Sequence, residues 1–165
     1  MRSLVIVALG SNLGDSRKIV LKAMQRLQLL SDEPLLRSSL WKTIPVDCPP
    51  GSPPFINAVV GLMPRAEETP ESLLTKLQQL EREFGRQPKA VLNEPRPLDL
   101  DLIAFGCEHR NTERLKLPHA QAHQRRFVLA PMSEIAPDLV LPCQTKPVRE
   151  LLAQSPGSEM VLRVG

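Results

Sequence analysis

The segment Pro97-Leu98-Asp99-Leu100-Asp101-Leu102-Ile103 alternates leucine and aspartate over its central positions. Alternation with a period of two is typical of a β-strand, in which successive side chains point to opposite faces of the sheet. The leucines are therefore expected to face a core, while Asp99 and Asp101 share the other face. Two carboxylates placed in this way lie roughly 6.5–7 Å apart and repel each other unless a cation lies between them.

A magnesium ion suits this acidic face. Mg²⁺ prefers oxygen ligands and is usually held by one or two carboxylates together with substrate phosphates. The alternative is a half-buried edge strand whose acidic face is simply solvated. The segment by itself leaves both interpretations open.

Length and composition predict one soluble globular domain over residues 1–165, with 42% hydrophobic and 24% charged residues. The three cysteines show neither close pairing nor metal-ligand spacing, which indicates a reducing compartment. The apolar run from Leu4 to Leu9 is too short for a signal peptide or a membrane span. We therefore expect a cytoplasmic protein that does not bind membranes.

The net charge of +3 is mild, and the chain has four Phe, one Trp and no Tyr. Nucleic-acid binding usually needs clustered basic residues, and binding of single strands also needs aromatic stacking platforms. A small anionic ligand such as a nucleotide phosphate fits the charge better, and we expect no nucleic-acid partner.

Hydrophobic periodicity and helix caps predict the order β-α-β-β-α-β. The predicted elements are a strand over 4–9, a helix over 15–30, strands over 36–43 and 55–63, a helix from Thr69 to Gly85, and the acidic strand ending at Gly106. This order indicates an α+β fold of the ferredoxin-like sandwich type, with two helices on one face of an antiparallel sheet. The C-terminal extension shows an extended piece to Pro118, a short helix over about 124–134, and weak signals beyond it.

Two long loops and several basic or aromatic residues surround the acidic strand. The loops run from Ile44 to Pro54 and from Gly85 to Pro95, and loops of this length often carry function. Arg96 directly precedes the strand. Taken singly, each such residue has an ordinary structural interpretation: a lone histidine is often a structural hydrogen bonder, a surface cation is often solvated, and a phenylalanine often packs in the core.

Taken together, five segments resemble the 6-hydroxymethyl-7,8-dihydropterin pyrophosphokinase family of folate biosynthesis. They are Ala8–Asp15 (ALGSNLGD), Asn57–Val59 (NAV), Pro95–Ile103 (PRPLDLDLI), Leu117–His119 (LPH) and Arg126–Pro131 (RFVLAP). The resemblance runs from about Val5 to Pro142, and the Pro-Arg-x-Leu-Asp-Leu-Asp pattern is its specific signature.

The resemblance implies transfer of pyrophosphate from ATP to the hydroxymethyl oxygen of 6-hydroxymethyl-7,8-dihydropterin, with release of AMP. It implies two Mg²⁺ ions and ATP as co-substrate. We expect a monomer.

It also assigns roles to residues. Asp99 and Asp101 would hold both metal ions and, with Arg96, form the catalytic set. The resemblance places the following residues at the nucleotide: Gln78, Glu81, Arg86, Arg96, Leu102, His119 and Arg125, with Glu81 helping to place Arg96. It places the following at the pterin: Thr43, Ile44, Val46, Phe55, Asn57 and Phe127, with the two rings clamping the flat ligand.

The chain departs from the family pattern at three places. Asn93-Glu94 stands where an aromatic residue and a glycine are usual, Pro88 replaces a frequent loop arginine, and Ala120 replaces an aromatic residue or proline. These departures leave the aspartate pair intact and bear on how the second loop closes over ATP.

Two rival functions remain open from the sequence. One is another Mg²⁺-dependent phosphoryl or nucleotidyl transferase that uses the same aspartates. The other is a non-enzymatic ferredoxin-like module that binds a small regulator or RNA, for which neither the acidic pair nor Arg96 would be needed.

Overall fold

The computed structural model describes residues 4–43, 51, 53–86, 96–155 and 161–164. The helices are α1 (Ser16–Gln28), α2 (Pro70–Glu83), α3 (Arg126–Ile135) and α4 (Val148–Gln154), with a 3₁₀ turn at Ala122–Gln124. The strands are β1 (Val5–Ser11), β2 (Leu36–Arg37), β3 (Trp41–Thr43), β4 (Phe55–Leu62), β5 (Asp99–Phe105), β6 (Arg110–Asn111), β7 (Lys116–Leu117) and β8 (Val161–Arg163).

The main sheet is antiparallel, with the strand order β5-β1-β4-β3-β8, and β2 also pairs with β4. β1 therefore lies between β4 and β5, the two strands that carry most of the predicted site. This arrangement confirms the predicted α+β, ferredoxin-like class.

Helices cover both faces of the sheet. On one face α1 and α2 bury Met24, Leu27 and Leu77 against alternate residues of β1, β4 and β5. On the other face α3 and α4 bury Leu129 and Val148 against the remaining residues of these strands. The sequence predicted helices on one face only, and the C-terminal extension provides the second layer. This double coverage explains why all seven residues of β1 are buried.

The alternation that was predicted for β5 is present. Leu98, Leu100 and Leu102 are at most 5% exposed and belong to the core under α1 and α2. Asp99 and Asp101 are half-buried and point to the face that carries α3. Burial of the leucines therefore fixes which way both carboxylates point.

The predicted helix caps are also present. The Thr69 hydroxyl accepts a hydrogen bond from the backbone N–H of Ser72, and Pro70 occupies the first position of α2. Asp15 accepts a bond from the backbone N–H of Lys18 at the start of α1. Gly85, with φ +95, follows α2 in the left-handed conformation that favours glycine.

The predicted strand over 36–43 is interrupted, which corrects the sequence prediction. It forms two short strands because Ser38 replaces part of the strand ladder with its side chain. The Ser38 hydroxyl accepts a hydrogen bond from the backbone N–H of Val59 at 2.9 Å and donates to the carbonyl of Ser39 at 2.8 Å.

A carboxylate on α3 ties the second helical layer to this interrupted segment. Glu134 accepts hydrogen bonds from the Trp41 indole N–H at 2.6 Å, the Ser39 hydroxyl at 2.8 Å and the Ser39 backbone N–H at 3.1 Å. Phe127, whose ring was predicted to bind the pterin, lies in the first turn of the same helix.

In the described part of the chain, no helix combines the length and apolar character needed to span a membrane.

We expect Leu129→Ala to lower the free energy of unfolding by about 2–5 kcal/mol, since Leu129 is fully buried in α3 and its removal leaves a cavity. The matched control is Leu21→Ala in α1, where the side chain is 48% exposed and a change within about 0.5 kcal/mol is expected. Denaturant unfolding followed by circular dichroism measures both. Equal losses for the two variants would contradict the assignment of α3 to a packed second layer.

Candidate active site

A row of residues across three strands forms the floor of the site. Gly10 on β1 pairs with Asp99 on β5 on one side and with Asn57 on β4 on the other. Residues paired in this way point to the same face of a sheet, which here is the face covered by α3. In the next such row, Ala8 lies between Asp101 and Val59. Small residues therefore separate the carboxylates from the amide of Asn57.

Gly10 belongs to the segment Ala8–Asp15, and the sequence predicted no role for it in the site. A Cβ atom at this position would lie 3.1 Å from the Asn57 Oδ1 and 3.5 Å from the Phe55 Cδ1. The first distance is shorter than ordinary contact, so glycine keeps the floor open beside Asn57 and Phe55. The need for glycine at this position follows from the pairing of Gly10 with Asn57, which the sequence alone does not show.

Asp99 lies among cationic side chains. One guanidinium nitrogen of Arg86 donates to its Oδ1 at 2.7 Å, and Arg96 lies 3.5 Å from its Oδ2. The same nitrogen of Arg86 donates to the Oε2 of Glu81 at 2.5 Å. Glu81 also accepts a hydrogen bond at 2.8 Å from the backbone N–H of Leu100 in β5. The structure thus brings together Asp99, Arg96, Arg86 and Glu81, all predicted site residues, and it pairs Glu81 with Arg86.

Burial and neighbouring negative charge raise the pKa values of two acidic side chains at the site, Asp101 and Glu81. Burial, followed by the charges of Asp99 and Glu81, raises the pKa of Asp101 to about 7. Burial also raises the pKa of Glu81, against the opposing effects of the Leu100 N–H and Arg86. A divalent cation would relieve this repulsion, and carboxylate oxygens are the ligands that Mg²⁺ prefers.

Among the described residues, no three acidic, histidine or cysteine side chains converge as a ready-made metal cage. A carboxylate pair completed by substrate phosphates is the usual arrangement for Mg²⁺. The donor set therefore fits a magnesium ion that binds together with a polyphosphate.

His119 is anchored beside the acidic strand. Its backbone N–H donates to the carbonyl of Ile103 at 2.8 Å, and its Nδ1 accepts a hydrogen bond from the backbone N–H of Gln121 at 3.3 Å. Burial and the charge of Arg125 lower the pKa of His119, although Asp99 opposes the shift. The imidazole is therefore neutral at neutral pH, and its Nε2–H can donate to an anion.

Both phenylalanines that were predicted to bind the pterin lie beneath an arginine. The Arg96 guanidinium lies 5.6 Å from the centroid of the Phe55 ring, and that of Arg125 lies 5.5 Å from the centroid of the Phe127 ring. These distances are within the range of cation–π attraction. The predicted phosphate-binding and pterin-binding groups are thus in direct contact.

Asn57 and Thr43 form a buried polar pair near the Phe55 ring. The Asn57 Nδ2 donates to the Thr43 hydroxyl at 2.8 Å, and Asn57 is 6% exposed. Because Thr43 pairs with Phe55 between β3 and β4, the pair lies beside one of the two rings.

Some predicted site residues do not join this group. The Leu102 side chain is buried in the core on the opposite face of β5, and Gln78 is exposed on α2, one turn before Glu81. Ala120 is exposed next to His119. Ile44, Val46, Pro88, Asn93 and Glu94 lie outside the described residues.

Comparison with known proteins gives matches along most of the chain. The family model for 7,8-dihydro-6-hydroxymethylpterin-pyrophosphokinase (HPPK) matches residues 6–137. The 2-amino-4-hydroxy-6-hydroxymethyldihydropteridine pyrophosphokinase of Haemophilus influenzae is 38% identical over 156 residues, which are 94% of either chain. The enzyme of the same name from Pseudomonas aeruginosa is 39% identical over 153 residues, 92% of this chain and 91% of the relative.

A solved structure supports the fold. The wild-type Plasmodium falciparum HPPK-DHPS crystallised with pteroate superposes with a TM-score of 0.70 at 10% identity. The superposition covers 93% of this chain but less than half, 44%, of the Plasmodium chain.

The Asp-Leu-Asp strand and the arginines that contact Asp99 lie within residues 6–137, which the family model matches. The chain belongs to the 7,8-dihydro-6-hydroxymethylpterin-pyrophosphokinase family.

Proposed function

We propose that the acidic face of β5 is the magnesium- and ATP-binding centre of this pyrophosphokinase. The enzyme transfers the pyrophosphate group of ATP to the hydroxymethyl group of 6-hydroxymethyl-7,8-dihydropterin, a step of folate biosynthesis. One observation carries the assignment of the site: Asp99 and Asp101 share a strand face that Arg86 and Arg96 border.

Asp99 and Asp101 would hold the metal, and we propose two Mg²⁺ ions. When bound, Mg²⁺ neutralises charge on the triphosphate and polarises its oxygens. The raised pKa of Asp101 supports this proposal, because burial and the charges of Asp99 and Glu81 disfavour its anion, which a bound cation would stabilise.

Three arginines and one histidine would bind phosphate oxygens. Arg86 and Arg96 place guanidinium donors beside Asp99, and Arg125 places a third at the start of α3. A guanidinium group matches phosphate better than an ammonium group does, because it donates two parallel hydrogen bonds. The Nε2–H of His119 would add a neutral donor. Gln78 and Leu102 remain predictions for the nucleotide site.

Phe55 and Phe127 would stack on the pterin, and Asn57 would read its amide edge beside Thr43. Ile44 and Val46 remain predictions for backbone contacts to the same ligand. In the reaction the hydroxymethyl oxygen forms a bond to the β-phosphorus of ATP and loses its proton. The bond between the β-phosphorus and the oxygen that joins it to the α-phosphorus breaks, and AMP leaves with that oxygen.

We further propose that residues 1–165 form a single pyrophosphokinase domain that acts as a cytoplasmic monomer. Neither of the described cysteines, Cys107 and Cys143, forms a disulfide, which supports a reducing compartment.

Product analysis tests the function directly. Incubation with ATP, Mg²⁺ and 6-hydroxymethyl-7,8-dihydropterin should give AMP and the pterin diphosphate in equal amounts, since the acceptor attacks the β-phosphorus. Chromatography separates AMP from ADP and quantifies the pterin product. Formation of ADP, or of AMP without the pterin, would show a different transferase.

Asp101→Asn should abolish turnover and yet stabilise the metal-free protein above neutral pH. The pKa of Asp101 is raised from 3.8 to about 7, so its contribution to stability is complete below pH 3.8 and is lost as the pH rises through about 7. Asparagine stays neutral throughout. The melting temperature of the variant should therefore exceed that of the wild type in alkaline buffer with a chelator, and the difference should shrink as the pH falls toward 3.8.

Asp138→Asn is the matched control, because the Asp138 side chain is 85% exposed. It should leave turnover and the pH dependence of the melting temperature unchanged. Near-normal turnover of the Asp101 variant would refute the assignment of Asp101 to the metal. If the melting temperatures of variant and wild type differed by the same amount at every pH, the raised pKa of Asp101 would be refuted.

Phe127→Leu should weaken binding of the pterin by about 1–3 kcal/mol, because leucine keeps the apolar volume but removes the stacking face. Binding of an unreactive ATP analogue with Mg²⁺ should change far less. Phe105→Leu is the control, since Phe105 is buried at the other end of β5 from Asp99. Calorimetry measures both affinities, and equal losses for the two ligands would point to a structural role for Phe127.

A further inference from the structure

Asn12 lies just after β1 and contacts two separate segments of the proposed site. Its backbone N–H donates to the carbonyl of Arg96 at 3.1 Å, and its Oδ1 accepts from the backbone N–H of Arg96 at 2.9 Å. Its Nδ2 donates to the carbonyl of Pro53 at 3.3 Å. Asn12 is only 1% exposed, so these bonds form away from solvent, where loss of a partner is costly.

The contacts to Arg96 fix the point from which its side chain leaves the backbone. Both the N–H and the carbonyl of Arg96 are held by the same residue. From that point the guanidinium reaches Asp99 at 3.5 Å and lies over the Phe55 ring at 5.6 Å. A shift of the Arg96 backbone would move this cation relative to both groups.

The contact to Pro53 acts on the other segment. Pro53 lies two residues before Phe55, the first residue of β4. The amide group of one buried side chain therefore holds the segment that leads into the Phe55 ring and the segment that carries Arg96.

The chemistry of the side chain is specific for this task. An amide offers an acceptor and a donor in one plane, at fixed separation. Aspartate would keep the acceptor for the Arg96 N–H but would place a second oxygen against the carbonyl of Pro53. Serine would be too short to reach both segments.

We propose that Asn12 is a positioning residue for pyrophosphate transfer, which sets Arg96 and Phe55 in register with each other. The inference rests on the proposed function, because it takes Arg96 as a phosphate-binding group and Phe55 as a pterin-binding group. Asn12 touches neither substrate in this scheme and acts through the two segments that it joins.

Asn12→Asp and Asn12→Ser separate the two contacts. The matched control is Ser31→Ala, another buried polar residue that bonds backbone groups, at the opposite end of β4 from Phe55: its hydroxyl accepts from the N–H of Met63 at 3.1 Å. Calorimetry with an unreactive ATP analogue and Mg²⁺, and then with 6-hydroxymethyl-7,8-dihydropterin added, gives the two affinities. Hydrogen exchange at the Arg96 amide reports whether its bond to residue 12 persists.

Asn12→Asp should keep the Arg96 amide protected and nucleotide affinity within about twofold, while pterin affinity falls roughly tenfold, the size expected for one lost buried hydrogen bond. Asn12→Ser should expose the Arg96 amide and weaken both ligands. Ser31→Ala should lower the melting temperature and leave both affinities unchanged.

The wild-type protein separates the two proposals. If it binds both ligands, but the Asn12 variants lose no more affinity than Ser31→Ala, the positioning role is wrong and the proposed function stands. The role is also wrong if Asn12→Asp weakens both ligands equally. If Asn12→Asp does not fold, Asn12→Ser decides: unchanged affinities overturn the role. A wild-type protein that binds neither ligand refutes the proposed function, and this inference with it.

Discussion

The site depends on one constraint, the burial of the leucine face of β5. Leu98, Leu100 and Leu102 pack under α1 and α2, so the strand cannot rotate or slip by one residue without exposing them. Asp99 and Asp101 must therefore point together toward the opposite face, although their charges repel. The apolar core thus holds the carboxylates in an arrangement that they would not adopt by themselves, and the neighbouring arginines reduce its electrostatic cost. A divalent cation that binds such a pair relieves the repulsion between the carboxylates, and this relief makes the free energy of cation binding more favourable.

The sequence predicts this strand well because its signal is local. A period of two over the five residues from Leu98 to Leu102 determines which side chains share a face. The caps of α2 are equally local, since Thr69, Pro70 and Gly85 all lie within one turn of an end of the helix. The order of the first six elements then suffices for the fold class. The family resemblance, carried by short motifs, predicted the activity that the relatives support.

Other features could not be predicted, because they depend on contacts between distant parts of the chain. The role of Gly10 follows from the register of β1 with β4 and β5, and that of Asn12 from contacts with Pro53 and Arg96. The break at Ser38 depends on the N–H of Val59, which the serine can reach only after the sheet has formed. The hairpin β6–β7, helix α4 and strand β8 are two to seven residues long, too short to show a reliable period.

The two apolar clusters lie on opposite faces of one sheet, so one helical layer can open while the other stays packed. Phe127 and Arg125 belong to the layer of α3 and α4, which is fastened to β3 through Glu134. Local opening of that layer would carry both residues away while β1, β4, β5 and the leucine face stay folded. Inactivation by heat or denaturant can then precede global unfolding, and the half of the molecule that carries Asp99 and Asp101 can stay folded longer than the half that carries Phe127.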